Sequence, residues 1–230
     1  MSLVPGNARV LDLGCAGGYV GATLRRRRGC HVTGVDRFPL APGVELDAFI
    51  RHDLNDGLPL VDFRSYDYVL LLDVIEHLAS PEAFVDQLRV ALALSPSTTL
   101  LVSTANIGFF VTRLMLFLGQ FNYGKQGILD LTHSRLFTFA SFRRLFEQGG
   151  FRVRQVRGIP GPFPLVFGDG VLGRVIMSAS NALVRVARGL FSYQIFFVVE
   201  PLPSLEYLLE TARDESAVRS EPGERGVGAG

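Results

Sequence analysis

"VLDLGCAGGYVGATL", residues 10–24, decides the fold. An apolar run meets an acid and a knot of glycines, and the residues after Gly18 read as a helix. Strand, Gly-rich turn and helix is how an α/β sheet cradles a nucleotide-like ligand. A dinucleotide fingerprint needs G-x-G-x-x-G; counted from Gly14, the third position is Ala16 and the sixth is Tyr19. That spacing fails, which disfavours a dehydrogenase. What stands is Asp12-Leu13-Gly14-Cys15-Ala16-Gly17-Gly18, with Asp36 closing the next apolar run.

Outward from this stretch, strand-like and helix-like segments alternate. Residues 8–14, 30–36, 48–54, 66–74 and 97–106 are short apolar runs suited to buried strands, and 18–28 and 80–93 read as helices. Ser80 is suited to cap the second of these, with Pro81 in its first turn and Glu82 at the positive end of its dipole. Runs apolar on both faces and separated by helices indicate a parallel sheet covered on both sides. After residue 106 the rhythm breaks into an aromatic-rich insertion, 107–137. A helix follows with Thr138 as cap, Phe139, Phe142, Leu145 and Phe146 on one face and Gly149 as terminator. The alternating run 151–159 reads as a half-exposed strand, 160–190 as a second apolar insertion, and 192–201 as a last buried strand. One domain over 1–204 with a flexible tail over 205–230 accounts for the whole, and no internal repeat is present.

Of 230 residues, 23 are Lys or Arg and 22 Asp or Glu; the net charge of +1 argues against a nucleic-acid partner. The run Arg25–Arg28 reads as the solvated end of a helix. Two cysteines, Cys15 and Cys30, make neither a disulfide framework nor a metal-ligand spacing, which suggests a reducing, cytoplasmic setting. Residues 1–9 lack the pattern of a leader peptide, and no apolar stretch is long enough to span a bilayer. Eighteen phenylalanines and a mean hydropathy above zero nevertheless ask for an explanation.

With these motifs in order, the chain resembles the class I S-adenosylmethionine-dependent methyltransferases. "VLDLGCAGG" is similar to their first motif, with Ala16 in place of the middle glycine; Asp36 matches the acid that binds both ribose hydroxyls. Asp53-Leu54 matches the pair at the adenine, and "LLDVIEHL" (71–78) the motif after strand four. The resemblance covers residues 8–106 motif by motif and continues to about 200 in the succession of elements. It implies a doubly wound, mostly parallel seven-stranded Rossmann-like sheet with helices on both faces and an antiparallel last strand. It implies S-adenosylmethionine as cofactor, held by Asp12, Gly14, Cys15, Ala16, Gly17, Gly18, Asp36, Arg37, Asp53, Leu54 and Asp73. Physically, a carboxylate fork at Asp36 suits two vicinal hydroxyl donors, and Gly14, Gly17 and Gly18 permit close approach of a methionine moiety.

In such a fold "DVIEHL" offers Asp73, Glu76 and His77 near the reacting methyl group. The pattern is similar to that of quinone-biosynthesis O-methyltransferases, in which two acids and a histidine hold a divalent ion. Here His77 is the candidate base or substrate-orienting group, with a structural hydrogen-bonding role as its alternative, and a metal on Asp73, Glu76 and His77 is the lesser reading. His133, in "LTHSRLFT", is the second catalytic candidate and loosely resembles sugar- and polysaccharide-associated methyltransferases; a backbone-capping role is its alternative. His52 reads as structural.

The reading is O-methylation of a bulky apolar or glycosylated small molecule, against N- or C-methylation or a non-catalytic cofactor-binding subunit. Within the insertions, 107–118 and 171–190 are too short to cross a bilayer. Taken as one helix, 171–190 places Arg174, Arg185 and Arg188 within about a sixth of a turn of one another. Lid over a hydrophobic substrate, homodimer contact and peripheral membrane contact all fit. Family members carry a helix before the first motif; with a strand starting near residue 8, the cover over the cofactor is left to the insertions, a partner or an upstream segment.

Overall fold

The computed structural model describes residues 3–161, 170–205, 207–209 and 211–213. Strand β1 (Arg9–Leu13) runs into the glycine turn, helix α1 (Tyr19–Arg28) and strand β2 (His31–Asp36). Then come β3 (Ala48–Arg51), β4 (Tyr68–Leu72), α2 (Pro81–Ala91), β5 (Thr99–Ala105) and α3 (Phe110–Phe117). Helix α4 (Phe139–Gln148), β6 (Phe151–Ile159), α5 (Val171–Val186), the short α6 (Arg188–Phe191) and β7 (Gln194–Pro201) complete the order. The seven strands form one sheet, β3-β2-β1-β4-β5-β7-β6, in which β7 runs antiparallel to both its neighbours and the rest are parallel. Strand order reverses direction between β1 and β4, so the carboxyl ends of these strands form the crevice where such sheets take a ligand.

Successive strand residues feed opposite faces. Leu11 and Leu71 join one core, with Phe142, Phe146 and Phe197; Val10 and Leu70 join the other, with Leu24 and Val32. Phe142 meets Phe137, Phe146 and Phe197, each ring centroid 5.2 Å away. Part of the phenylalanine excess is therefore core: truncating Phe142 to Ala should cost about 3–5 kcal/mol.

Several local expectations need correction. Ser80 gives α2 no side-chain cap; Pro81 opens the helix. The capping box on α4 does form, Thr138 with Ser141, but Gly149 ends the helix at φ −73° and Gly150 takes the left-handed turn at φ 81°. A Cβ on Gly149 would lie 2.3 Å from Val85 Cγ1, so close α2–α4 packing is what needs a glycine there. The segment 171–190 is two helices, because the chain turns extended at Ala187. Asn106 Nδ2 pins the second to the end of β5, donating to Gly189 O at 3.2 Å and Ser192 O at 2.8 Å. Arg188 thus leaves the helix that carries Arg174 and Arg185. Beyond β7 the described residues from Leu205 to Arg213 are helical, with Ser204 Oγ accepting the Tyr207 N–H; 214–230 lie outside the described residues.

Candidate active site

The turn after β1 is built on positive φ: Gly14 at 74°, Ala16 at 47° and Gly18 at 78°. Only glycine takes such angles freely, so Ala16 holds a strained backbone. Its reward is visible. The Ala16 N–H donates to Asp36 Oδ2 at 2.8 Å while the Phe38 N–H donates to Asp36 Oδ1 at 2.8 Å. Gly14 and Cys15 N–H both donate to Val35 O, locking the turn to the end of β2. The Asp36 carboxylate is thereby fixed edge-on, with lone pairs left on each oxygen for two hydroxyl donors.

A cavity of about 500 Å³ lies over these carboxyl ends, and Gly14, Ala16, Asp36, Arg37, Asp53, Leu54, Asp73 and His77 line it. Strands β1, β2, β3 and β4 each bring one part of the lining, which is why residues so distant in sequence meet. Asp12, Cys15, Gly17 and Gly18 are not among the lining residues. Asp12 is buried beneath the turn with Oδ2 unpartnered, facing Gly21. Burial, and then the nearby Asp36 charge, push its carboxyl up to about 7. Burial also raises the Cys15 thiol to about 12, so that sulfur is an inert core group. A Cβ on Gly18 would press Leu40 Cδ2 at 2.7 Å; its task is packing against the segment after β2.

Asp53 caps a one-turn 3-10 helix: its Oδ1 accepts the Asn55 N–H at 3.0 Å, and Arg37 Nη1 lies 3.5 Å from Oδ2. These contacts, the Asn55 N–H foremost, hold its carboxyl below the usual range. His52 also lines the cavity, with Nε2 2.9 Å from Gly57 O. Asp73 is a non-glycine residue at φ 56°, and its carboxylate is tied to the sheet edge by Ser103 Oγ at 2.9 Å and Gln194 Nε2 at 2.6 Å.

Glu76 turns inward. It is 1% exposed, its Oε1 accepts the Ala105 N–H, its Oε2 has no partner, and burial raises its carboxyl to about 7. Its backbone carbonyl accepts the N–H groups of Ser134 and Arg135, which docks the loop carrying His133. The alternative metal set Asp73, Glu76 and His77 therefore does not converge. No group of three or more His, Cys, Asp or Glu side chains placed to hold a metal occurs among the described residues.

His77 and His133, by contrast, are brought together. Their rings pack edge to face with centroids 4.7 Å apart. His77 Nδ1 lies 3.2 Å from Thr132 O and 3.0 Å from Thr132 Oγ1, and that hydroxyl donates to Asp130 Oδ1 at 2.7 Å. A carbonyl only accepts, so His77 Nδ1 carries a proton, and in the neutral ring the lone pair is on Nε2. His133 Nδ1 sits 2.9 Å from Ile128 O and is fixed in the same tautomer. Thr132 and Asp130 escaped the sequence reading. The Asp-x-Thr turn is locally legible, but its reach to residue 77 is not. Gly21, whose Cβ would meet Val32 Cγ1 at 2.9 Å, was also missed; it lets α1 lie close on the sheet.

A doubly wound sheet with β7 reversed, and an acid at the end of β2 clamping the glycine turn, define a class I methyltransferase domain. The chain belongs to the methyltransferase domain family, whose family model matches residues 3–156. It is 36% identical over 113 residues to a ubiquinone biosynthesis O-methyltransferase of Xylella fastidiosa, across 43% of this chain and 42% of that protein. The chain thus matches less than half the length of that relative. A ubiquinone biosynthesis O-methyltransferase of Aeromonas salmonicida is 27% identical over 165 residues, 66% of each. Among solved structures, an S-adenosylmethionine-dependent methyltransferase of Archaeoglobus fulgidus shares the fold, with a TM-score of 0.54 at 18% identity over 85% of this chain and 86% of that one.

Proposed function

We propose that the protein methylates an oxygen of a bulky apolar or glycosylated small molecule, using S-adenosylmethionine held in the cavity over β1, β2, β3 and β4. When bound, this cofactor supplies a methyl group already activated on sulfonium sulfur. The residues fit it by their chemistry: the clamped Asp36 fork suits two ribose hydroxyls, and the Asp53–Leu54 corner suits an amine beside an aromatic ring. Gly14 and Ala16 leave the floor of the cavity free of long side chains.

The observation that carries the acceptor assignment is His77. Its ring lines the cavity with Nδ1–H committed to Thr132 and Nε2 without a protein partner among the described residues. That is the form a general base needs: Nε2 takes the acceptor's hydroxyl proton as the oxygen–methyl bond forms and the carbon–sulfur bond breaks. His133 packs on His77 from outside the cavity lining and supports that ring. The names of the relatives favour oxygen as acceptor atom and a quinone-like apolar ring as its carrier. Both cysteines are unpaired and buried, which suits a cytoplasmic protein.

Calorimetry with S-adenosylhomocysteine tests the cofactor site. A labelled-methyl screen over phenols, sugars and lipid-linked acceptors tests the chemistry. Cofactor binding without turnover on any acceptor, unchanged by His77→Ala, would favour a cofactor-binding subunit instead.

A further inference from the structure

Part of the apolar content that the core does not absorb lies on one surface. Helix α3 leaves the carboxyl end of β5, and only Thr112 of its residues is buried. Leu114, Leu116, Phe117, Leu118, Phe121 and Tyr123 are all exposed, Phe117 to 86%. This surface continues onto the second insertion: the Phe110 and Phe191 rings are 5.9 Å apart. On α5, at 100° per residue, the exposed residues span one half of the helix. Asn181, Arg174, Arg185 and Ser178 form one polar margin of that half, and Val175, Ala179, Ala182, Leu183 and Val186 fill the rest.

Charge singles out an occupant. Residues 107–129 and 170–191 contain Arg113, Lys125, Arg174, Arg185 and Arg188 and no acid, with Asp130 and Asp169 bounding them in sequence and Asp130 bridged to Gly124. The chain as a whole is nearly balanced, 23 basic against 22 acidic residues, so everything outside these segments is net acidic. A surface that buries itself against a second copy would gain nothing from so large an excess of cations over acids. Exposed apolar side chains flanked mainly by cations suit a layer that is apolar within and anionic at its boundary. Among the described residues no helix is long and apolar enough to cross a membrane, so this is contact from one side.

We propose that the 110–125 segment and the exposed half of α5 dock on an anionic phospholipid bilayer. The face belongs to the same sheet edge as the candidate site: Gln194, at the start of β7, bonds Asp73, and Tyr193 stacks edge to face on Phe109 at 5.7 Å. Docking sets the cavity mouth beside the lipid phase. The inference stands on exposure and charge and needs no methyl transfer to hold.

The full chain should co-sediment with vesicles of equimolar phosphatidylglycerol and phosphatidylcholine, and bind pure phosphatidylcholine vesicles about tenfold more weakly. Raising salt should release it. L116D/F117D, both exposed sites, should lose about tenfold or more in vesicle binding, with thermal unfolding and S-adenosylhomocysteine affinity unchanged. K125E/R185E should abolish the preference for the anionic vesicles while leaving the weak neutral binding. No binding of the wild type to either vesicle overturns the proposal. So does binding that both double variants retain, or a concentration-dependent dimer that L116D/F117D dissolves without any vesicle affinity.

Discussion

Asp36 and Ala16 are joined by a 2.8 Å hydrogen bond from the Ala16 N–H to Asp36 Oδ2, between the carboxyl ends of the paired strands β1 and β2. One contact ties the acid at the end of the second strand to the strained middle of the turn after the first. Fixing the turn and presenting a carboxylate edge are therefore one task, performed by one side chain.

Asp36→Ala should weaken S-adenosylhomocysteine binding about 10–100-fold, the range for loss of charge-assisted hydrogen bonds. Asp36→Asn keeps one acceptor oxygen and should lose less. Titration calorimetry measures both, and an unchanged affinity in Asp36→Ala would remove this acid from the cofactor site.

His77→Ala should lower kcat roughly 10²–10⁴-fold, as expected for a lost general base, with S-adenosylhomocysteine affinity intact. Thr132→Val keeps the volume but removes the hydroxyl that His77 Nδ1 meets at 3.0 Å. Nitrogen NMR of the imidazole should then show less of the Nδ1–H tautomer, with a smaller fall in kcat. A purely structural His77 would leave the tautomer shift without any kinetic consequence.

Stability should fall as pH rises across a window set by two buried acids. Asp12 and Glu76 are raised from ordinary carboxyl values to about 7, both mainly by burial. Between about pH 4 and 7 the folded chain keeps protons that the unfolded chain has released, so unfolding is favoured progressively as pH climbs through that interval. The loss is about 3–4 kcal/mol per group and levels off above the window. Urea denaturation at pH 5 and pH 8 measures it, and Asp12→Asn with Glu76→Gln should flatten the profile.

Gly14→Ala should destabilise by roughly 2–4 kcal/mol, combining left-handed strain with overpacking. The added Cβ would sit 2.4 Å from Val74 Cγ2. Val74→Ala in the same chain should restore the steric part and leave the strain. Ala16→Gly should do no harm, because φ 47° is costly only for the residue now present. Thermal melts of the three variants decide it.

The sequence by itself determined the sheet and most of the site's cast. Apolar runs separated by capped or glycine-ended helices dictate parallel strands, and all seven strands lie where those runs predict them. Asp36, Asp53, Asp73 and His77 line the cavity because strand ends are where a parallel sheet delivers side chains to its crevice. What only the tertiary structure decided is how those residues are used. Whether Gly18 yields space to a ligand or to Leu40 depends on a neighbour more than twenty residues away. Glu76 belongs in its motif to the lesser, metal-holding alternative, and a single turn directs it into the core against Ala105. Thr132 sets the tautomer of His77 across 55 residues of chain. The exposure of Phe117 was equally hidden, since hydropathy records how apolar a residue is and not whether the fold has anything to cover it. Periodicity carries local geometry; side-chain direction and long-range partners belong to the packed whole.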